Sequence, residues 1–179
     1  MKNYLLLLVH LIATLLVSVM SGFSQEKSIQ DLEFLTGTWK VREENKEKAW
    51  WEETTRTGQY VLDSTYIELV SRATSSSGKK RTYRWYIHHN AKTNQFEMVS
   101  MFSNWYKVQF DLLEWDAEKR ILTIRNGGDP GDQGYHERLG EIVFDEEFTE
   151  YTWTGENKSG DPENPSIWKY MEKGTRIED

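Results

Sequence analysis

His136 and Arg138 are side chains whose types and spacing could carry chemistry. They stand two residues apart and are followed at the same spacing by Gly140, Ile142 and Phe144. Residues i, i+2 and i+4 of a strand line one face. If Ile142 and Phe144 face a core, an imidazole and a guanidinium face it too. Such a pair could act as a base and an anion holder, or as polar anchors for a bound molecule. The strand could instead bulge at Gly140, or begin outside the core, and leave both side chains in solvent. Arg84 and Glu68 raise the same question of facing.

Other chemistries meet geometric objections. His88 and His89 are adjacent, so in a regular strand they point to opposite faces and cannot share a metal. Adding His136 to one of them gives two ligands, where a catalytic zinc takes three. Glu52 and Glu53 are likewise adjacent and form no carboxylate pair. There is no Gly-x-Ser-x-Gly elbow, and with no cysteine there is no Cys–His pair. The glycine-rich stretch 126–134 lacks the Gly-Lys-Ser/Thr of a P-loop and the oxygen ligands of an EF-hand. It reads as a loop at one end of the domain. Asn157-Lys158-Ser159 is a formal glycosylation sequon. No catalytic residue, metal or cofactor is assigned.

The elements that must position these residues are strands. Ser28 to Leu35 places Ile29, Leu32, Phe34 and Leu35 on one face of a short amphipathic helix. Gly37 follows, and strands are expected at 38–44, 49–57, 59–72, 81–88, 95–102, 106–115, 121–125, 135–144, 150–154 and 166–171. Gly58 separates the second from the third, and 172–179 reads as a polar tail. About ten short strands with turn residues between them define an all-β fold. Hairpin-length connections favour one antiparallel up-and-down barrel, whose closure removes exposed edges.

Residues 1–24 differ from the rest. Lys2 precedes an apolar run through Val17, and small residues lead to Ser24, the layout of a secretory signal peptide cleaved after Ser24. The alternative is an uncleaved anchor, although His10 interrupts a run that would need about 20 apolar residues to span. Residues 25–179 form the single expected domain, exported to the periplasm or outside. Absence of cysteine rules out a lipoprotein anchor and disulfides. The formal net charge of −7 argues against nucleic acid, whose phosphates need a basic face. Oligomeric state is not legible.

Eight Trp, nine Tyr and seven Phe suit either a solid aromatic core or a cavity with aromatic walls. If the barrel is hollow, its candidate ligand-lining residues are Tyr83, Trp85, His136, Arg138, Tyr151, Trp153, Trp168 and Tyr170.

Leu35-Thr36-Gly37-Thr38-Trp39, between a short helix and a meander of strands, resembles the opening of a lipocalin-type (calycin) barrel. The whole of 25–179 is similar to bacterial lipocalin-like proteins that begin Leu-x-Gly-x-Trp and end in an aromatic strand, here Ile167-Trp168-Lys169-Tyr170. The resemblance implies a barrel that binds a small, partly apolar ligand, with Gly37 and Trp39 as its structural motif, and assigns no activity. In lipocalins an arginine near the barrel's end packs over that tryptophan. The expected last strand here offers Lys169 and Lys173, without the planar guanidinium face. Related nitric-oxide-binding barrels hold haem through a histidine near the C-terminal end, and nothing beyond His136 supplies one.

Overall fold

The structure, a computed structural model, describes residues 27–127 and 135–177. The signal segment 1–24 and most of the glycine-rich loop lie outside the described residues. The strands are β1 (Gly37–Asn45), β2 (Trp50–Val61), β3 (Tyr66–Ser75), β4 (Lys80–Asn90), β5 (Gln95–Phe102), β6 (Trp105–Asp116), β7 (Ile121–Gly127), β8 (Tyr135–Phe144), β9 (Glu150–Asp161) and β10 (Asn164–Ile177). Each pairs antiparallel with the next, and β10 returns to β1, from Thr38 opposite Ile177 to Glu44 opposite Met171. The barrel is closed and up-and-down, as the strand pattern predicts.

Three boundaries differ from expectation, each for a physical reason. The run 59–72 is broken by a turn in which Leu62, Asp63 and Ser64 all have positive φ, at 51°, 55° and 63°. Thr65 closes it by donating its backbone N–H to the Leu62 carbonyl at 3.2 Å. No glycine or proline marks the spot, and Asp63-Ser64 is its only turn chemistry. Gly58, expected as a break, lies inside β2. A Cβ there would collide with the Leu35 carbonyl and the Leu69 side chain, so the glycine lets the N-terminal helix lie against the sheet. Finally, β9 and β10 run far past their expected ends. Asp161 pairs with Asn164 across a tight Pro162-Glu163 turn, and the "polar tail" from Glu172 is the strand that closes the barrel.

The helix itself, Ile29–Leu35, is 3-10 rather than α. The Asp31 carboxylate accepts a hydrogen bond from the Ser28 backbone N–H at 2.9 Å, satisfying one donor of the first turn. Ile29, Leu32 and Leu35 are buried, and the helix stoppers one end of the barrel. Trp39 sits beneath it, 2 % exposed, with its ring centroid 5.2 Å from Tyr151 and 6.4 Å from Phe144. The arginine that lipocalin barrels place over this ring is present after all. It is Arg176, whose guanidinium lies 4.6 Å from the Trp39 centroid. Neither Lys169 nor Lys173 is needed. Arg176 also donates from Nη2 to the Phe34 carbonyl at 2.6 Å and from Nε to the Phe148 carbonyl at 3.1 Å. One side chain thereby joins the helix, the last strand and the β8–β9 connection.

Around Trp39 the interior is packed with Ile67, Ile87, Phe96, Leu113, Leu122 and Phe144, among others. A small apolar cavity of about 30 Å³ lies among these side chains. Native interiors are close-packed, and this half of the barrel conforms.

Candidate functional site

The other half is hollow. A cavity of about 530 Å³ opens towards the β1–β2 and β9–β10 hairpins and is walled by Trp50, Tyr83, Trp85, Phe102, Trp105, Trp153, Trp168 and Tyr170. Inward-facing polar residues complete it, and they fall into three groups.

The floor is Arg56 on β2. Its Nη1 and Nη2 each donate to a Glu172 carboxylate oxygen at 2.8 Å, Nη1 also to the Tyr151 hydroxyl at 2.8 Å, and Nε to Ser71 Oγ at 2.9 Å. Tyr151 in turn donates to Glu172 at 2.6 Å. The guanidinium lies 4.8 Å from the Trp85 ring centroid and 5.9 Å from that of Trp153. Burial opposes the charge on Arg56, and the Glu172 carboxylate more than reverses that, so the group is held firmly protonated. Burial likewise pushes the Tyr151 hydroxyl well above its ordinary range. A bidentate, fully hydrogen-bonded pair is the geometry in which a buried ion pair offsets its own desolvation.

One wall is built on Arg138 of β8. It donates to Asp111 at 2.9 Å, to the Gln109 carbonyl oxygen, and to Asn157 at 3.2 Å. His136 Nε2 is 2.8 Å from Gln109 Nε2. Ser100 donates to Asp111 at 3.3 Å. Burial raises the Asp111 carboxyl above its usual range, and Arg138 pulls against that.

The facing wall is a row of carboxyls. Glu43 of β1 stands directly opposite Glu172 of β10 on one side and Glu52 of β2 on the other. All three line the cavity. Glu172 has Arg56. Glu52, 2 % exposed, accepts from the Tyr83 hydroxyl at 2.6 Å and has Arg81 at 3.5 Å. Its carboxyl is raised by burial against those two partners. Glu43, between two like charges, is pushed up to about 8 by burial, then by Glu172 and Glu52.

The parity argument at β8 holds in the structure: Arg138 faces inward with Gly140, Ile142 and Phe144, and His136 lines the cavity. Tyr83, Trp85, Trp153, Trp168 and Tyr170 line the same space. Tyr151 does not; it lies beneath the floor in the apolar half and reaches up only through its hydroxyl. Gly140 and Gly155 leave room for the polar tips of Trp153 and Tyr170, whose rings meet edge-on at 5.5 Å. Arg84 and Glu68 pair with each other and with Tyr86 away from the cavity. Glu53 also turns outward, to Arg42 at 2.9 Å. Among the described residues no group of three or more His, Asp or Glu is placed to hold a metal.

Arg56, Glu43, Glu52, Glu172, Gln109 and Asp111 were not among the expected site residues. On β6 the apolar alternation Val108, Phe110, Leu112 is no guide to the inward face: Phe110 is 67 % exposed, and Gln109 and Asp111 are buried. The available signal was parity: Gln109 and Asp111 share a face with Leu113, which sits deep in the core. Glu52 and Arg56 are betrayed in the same way by their phase with Gly58, which lies against Leu35 and Leu69.

No known family model matches this chain, and no curated protein matches it. Solved structures do. Rv2717c from M. tuberculosis aligns over 84 % of this chain and 97 % of its own at 10 % identity, with a TM-score of 0.59. The S-type phycobiliprotein lyase CPES from Guillardia theta aligns over 86 % and 94 %, also at 10 % identity, with a TM-score of 0.55. EF1p2_mFAP2b bound to DFHBI, covering 82 % of this chain and 96 % of its own at 14 % identity, is more distant, with a TM-score of 0.45. The first two share the barrel fold with this chain.

Proposed function

We propose that this chain is an exported lipocalin-like barrel that binds a small, partly apolar molecule. The observation that carries the reading is the cavity of about 530 Å³ with aromatic walls and convergent polar groups. Small-molecule sites commonly enclose about 300–1,000 Å³ with that mixture of linings. Export rests on the signal-like segment 1–24, and family membership on Leu35, Gly37 and Trp39.

Native mass spectrometry of protein purified from its own host tests binding. A bound small molecule released on denaturation is the expected result, together with a polypeptide mass that begins at Gln25. Retention of residues 1–24 would remove the export part of the reading. Repeated recovery of the protein without a ligand, and no uptake from small-molecule libraries, would remove the binding part.

An enzyme with His136 as base and Arg138 as anion holder is the second reading. The cavity position of His136 favours it. Against it, the Arg138 nitrogens already donate to Asp111, Gln109 and Asn157, which leaves little of the guanidinium for an anion. A hydrolase and isomerase screen comparing the wild type with His136→Ala separates the two readings: activity lost in the variant supports catalysis, and its absence in both supports binding.

A further inference from the structure

We propose, building on the binding reading above, that the occupant of the cavity is an organic cation, held by the Glu43 carboxylate beside the indoles of Trp50 and Trp168. The argument is one of charge accounting. Three arginines line the cavity, but the two deep ones are spent. Arg56 is ion-paired with Glu172 and also donates to Tyr151 and Ser71, and Arg138 is ion-paired with Asp111 and also donates to Gln109 and Asn157. The third, Arg81, lies 3.5 Å from Glu52. An anionic ligand would therefore have to break existing pairs.

The carboxyls show the opposite imbalance. Glu172 is answered by Arg56 and Glu52 by Arg81, whereas Glu43, between them in register, has a hydrogen bond from the Trp168 side chain but no ion pair among the described residues. With Glu43 ionised, the row and its two arginines carry one uncompensated negative charge.

The surroundings of that charge suit a cation. Trp50 precedes Glu52, and Trp168 precedes Glu172, on the side of the mouth, and their rings meet at 5.4 Å. Indole faces attract cations through their quadrupole, most strongly where water is excluded. The protein already uses the same chemistry at this rim: the Arg81 guanidinium lies 5.7 Å from the Trp50 ring centroid while it reaches for Glu52. Deeper in the site, Trp85 is 5 % exposed and its indole N–H has no acceptor among the described residues. A ligand with a hydrogen-bond acceptor on its apolar body would answer that donor.

Binding of a cation is then linked to the Glu43 proton. The groups around Glu43 are Glu172 and Tyr170 on β10, Glu52 and Arg56 on β2, and Arg81 on β4. Because its carboxyl titrates at about 8, a permanent cation must displace one proton below that pH. Affinity should rise about tenfold per pH unit up to about pH 8 and level off above it.

Three bicyclic probes of similar shape decide the matter: 1-methylquinolinium, 1-methylnaphthalene and 1-naphthoate, titrated into the purified protein by tryptophan fluorescence and calorimetry between pH 6 and 9. The expected result is that the quinolinium binds at least about tenfold more tightly than the neutral probe at pH 8.5. Naphthoate should be weakest, and Glu43→Gln should abolish both the cation preference and the pH slope. Equal binding of cation and neutral probe, preference for naphthoate, or an unaltered preference in Glu43→Gln would overturn the cation inference and leave the binding reading standing. Failure of all three probes, at every pH, would overturn both. Should Glu43→Gln not fold, the wild-type charge series alone still decides.

Discussion

The two ends of this barrel are made from the same ten strands and solve opposite problems. At the helix end, inward positions hold Trp39, Ile87, Phe96, Leu122 and Phe144, and almost no free volume remains. At the other end the inward positions of the same strands hold Glu43, Glu52, Arg81, Gln109, Arg138 and Trp168 around about 530 Å³ of space. The change of character occurs along each strand, at the level of Arg56 and Tyr151, which form a polar floor between the halves. The lesson is that stability and recognition are separated by height in the barrel. The closed half contributes the burial that holds the fold, and the open half keeps large side chains incompletely packed and charges incompletely paired.

Mutations should expose that division. The largest loss is expected from Trp39→Ala, because it empties the packed half and frees Arg176 from its ring. Truncating a buried aromatic costs about 3–5 kcal/mol, much of the roughly 5–15 kcal/mol that holds a domain together. Urea unfolding should show the midpoint falling sharply; a wild-type midpoint would mean that the two halves do not differ as described.

Next comes the floor. Glu172→Ala strands the Arg56 guanidinium, 7 % exposed, without its carboxylate, a change of about 3 kcal/mol or more. The double variant Glu172→Leu with Arg56→Met should recover most of that loss in the same urea series, because removing both charges removes the penalty. A double variant no better than the single one would show that the pair contributes more than mutual compensation.

A smaller effect of opposite sign is expected in the open half. Glu43 has a folded-state pKa of about 8 against an ordinary carboxyl value near 4.3. A carboxyl with a raised folded pKa binds its proton more tightly in the folded state, so it weakens the fold as pH climbs from about 4.5 to 8. Glu43→Gln should therefore be more stable than the wild type at pH 9. The gain is on the order of 1 kcal/mol after solvent screening, or about 2–4 °C in Tm, and it should vanish near pH 4. Thermal scans at the two pH values measure it. A variant less stable at pH 9 would mean that Glu43 is an essential partner rather than an unsatisfied charge.

The smallest stability change belongs to Trp168→Ala. Trp153 is itself 8 % exposed and packed on Tyr170 and near Arg56, so it is the wrong residue for isolating ligand contact. Trp168 is half-buried at the mouth and touches Trp50. Its loss should cost under about 1 kcal/mol in urea and weaken 1-methylquinolinium binding severalfold by fluorescence titration. A large loss of stability would extend the packed region up to the rim.

What the sequence alone determined was the part of the structure that obeys local rules. Alternation at two-residue spacing identified nearly every strand, the turn residues gave the antiparallel order, and Gly37-Thr38-Trp39 gave the barrel's opening. Parity offered an inward Arg138 as one of two readings, and the structure, where Arg138 is buried, decides for it. Local rules failed wherever a distant residue supplied the reason. Gly58 looks like a break until the Leu35 carbonyl is laid against it. The stretch after Glu172 reads as a tail because its inward positions, Glu172, Gly174 and Arg176, are polar or small. Each is explained by a partner far away in the chain: Arg56 for Glu172, the Tyr151 ring for Gly174, and Trp39 for Arg176. The same holds for the row Glu172–Glu43–Glu52: the β1–β2 hairpin sets Glu52 beside Glu43, but only closure of the barrel brings Glu172, far away in the chain, to its other side. A buried charge is intelligible only with its counter-charge, and only the tertiary structure brings the two together.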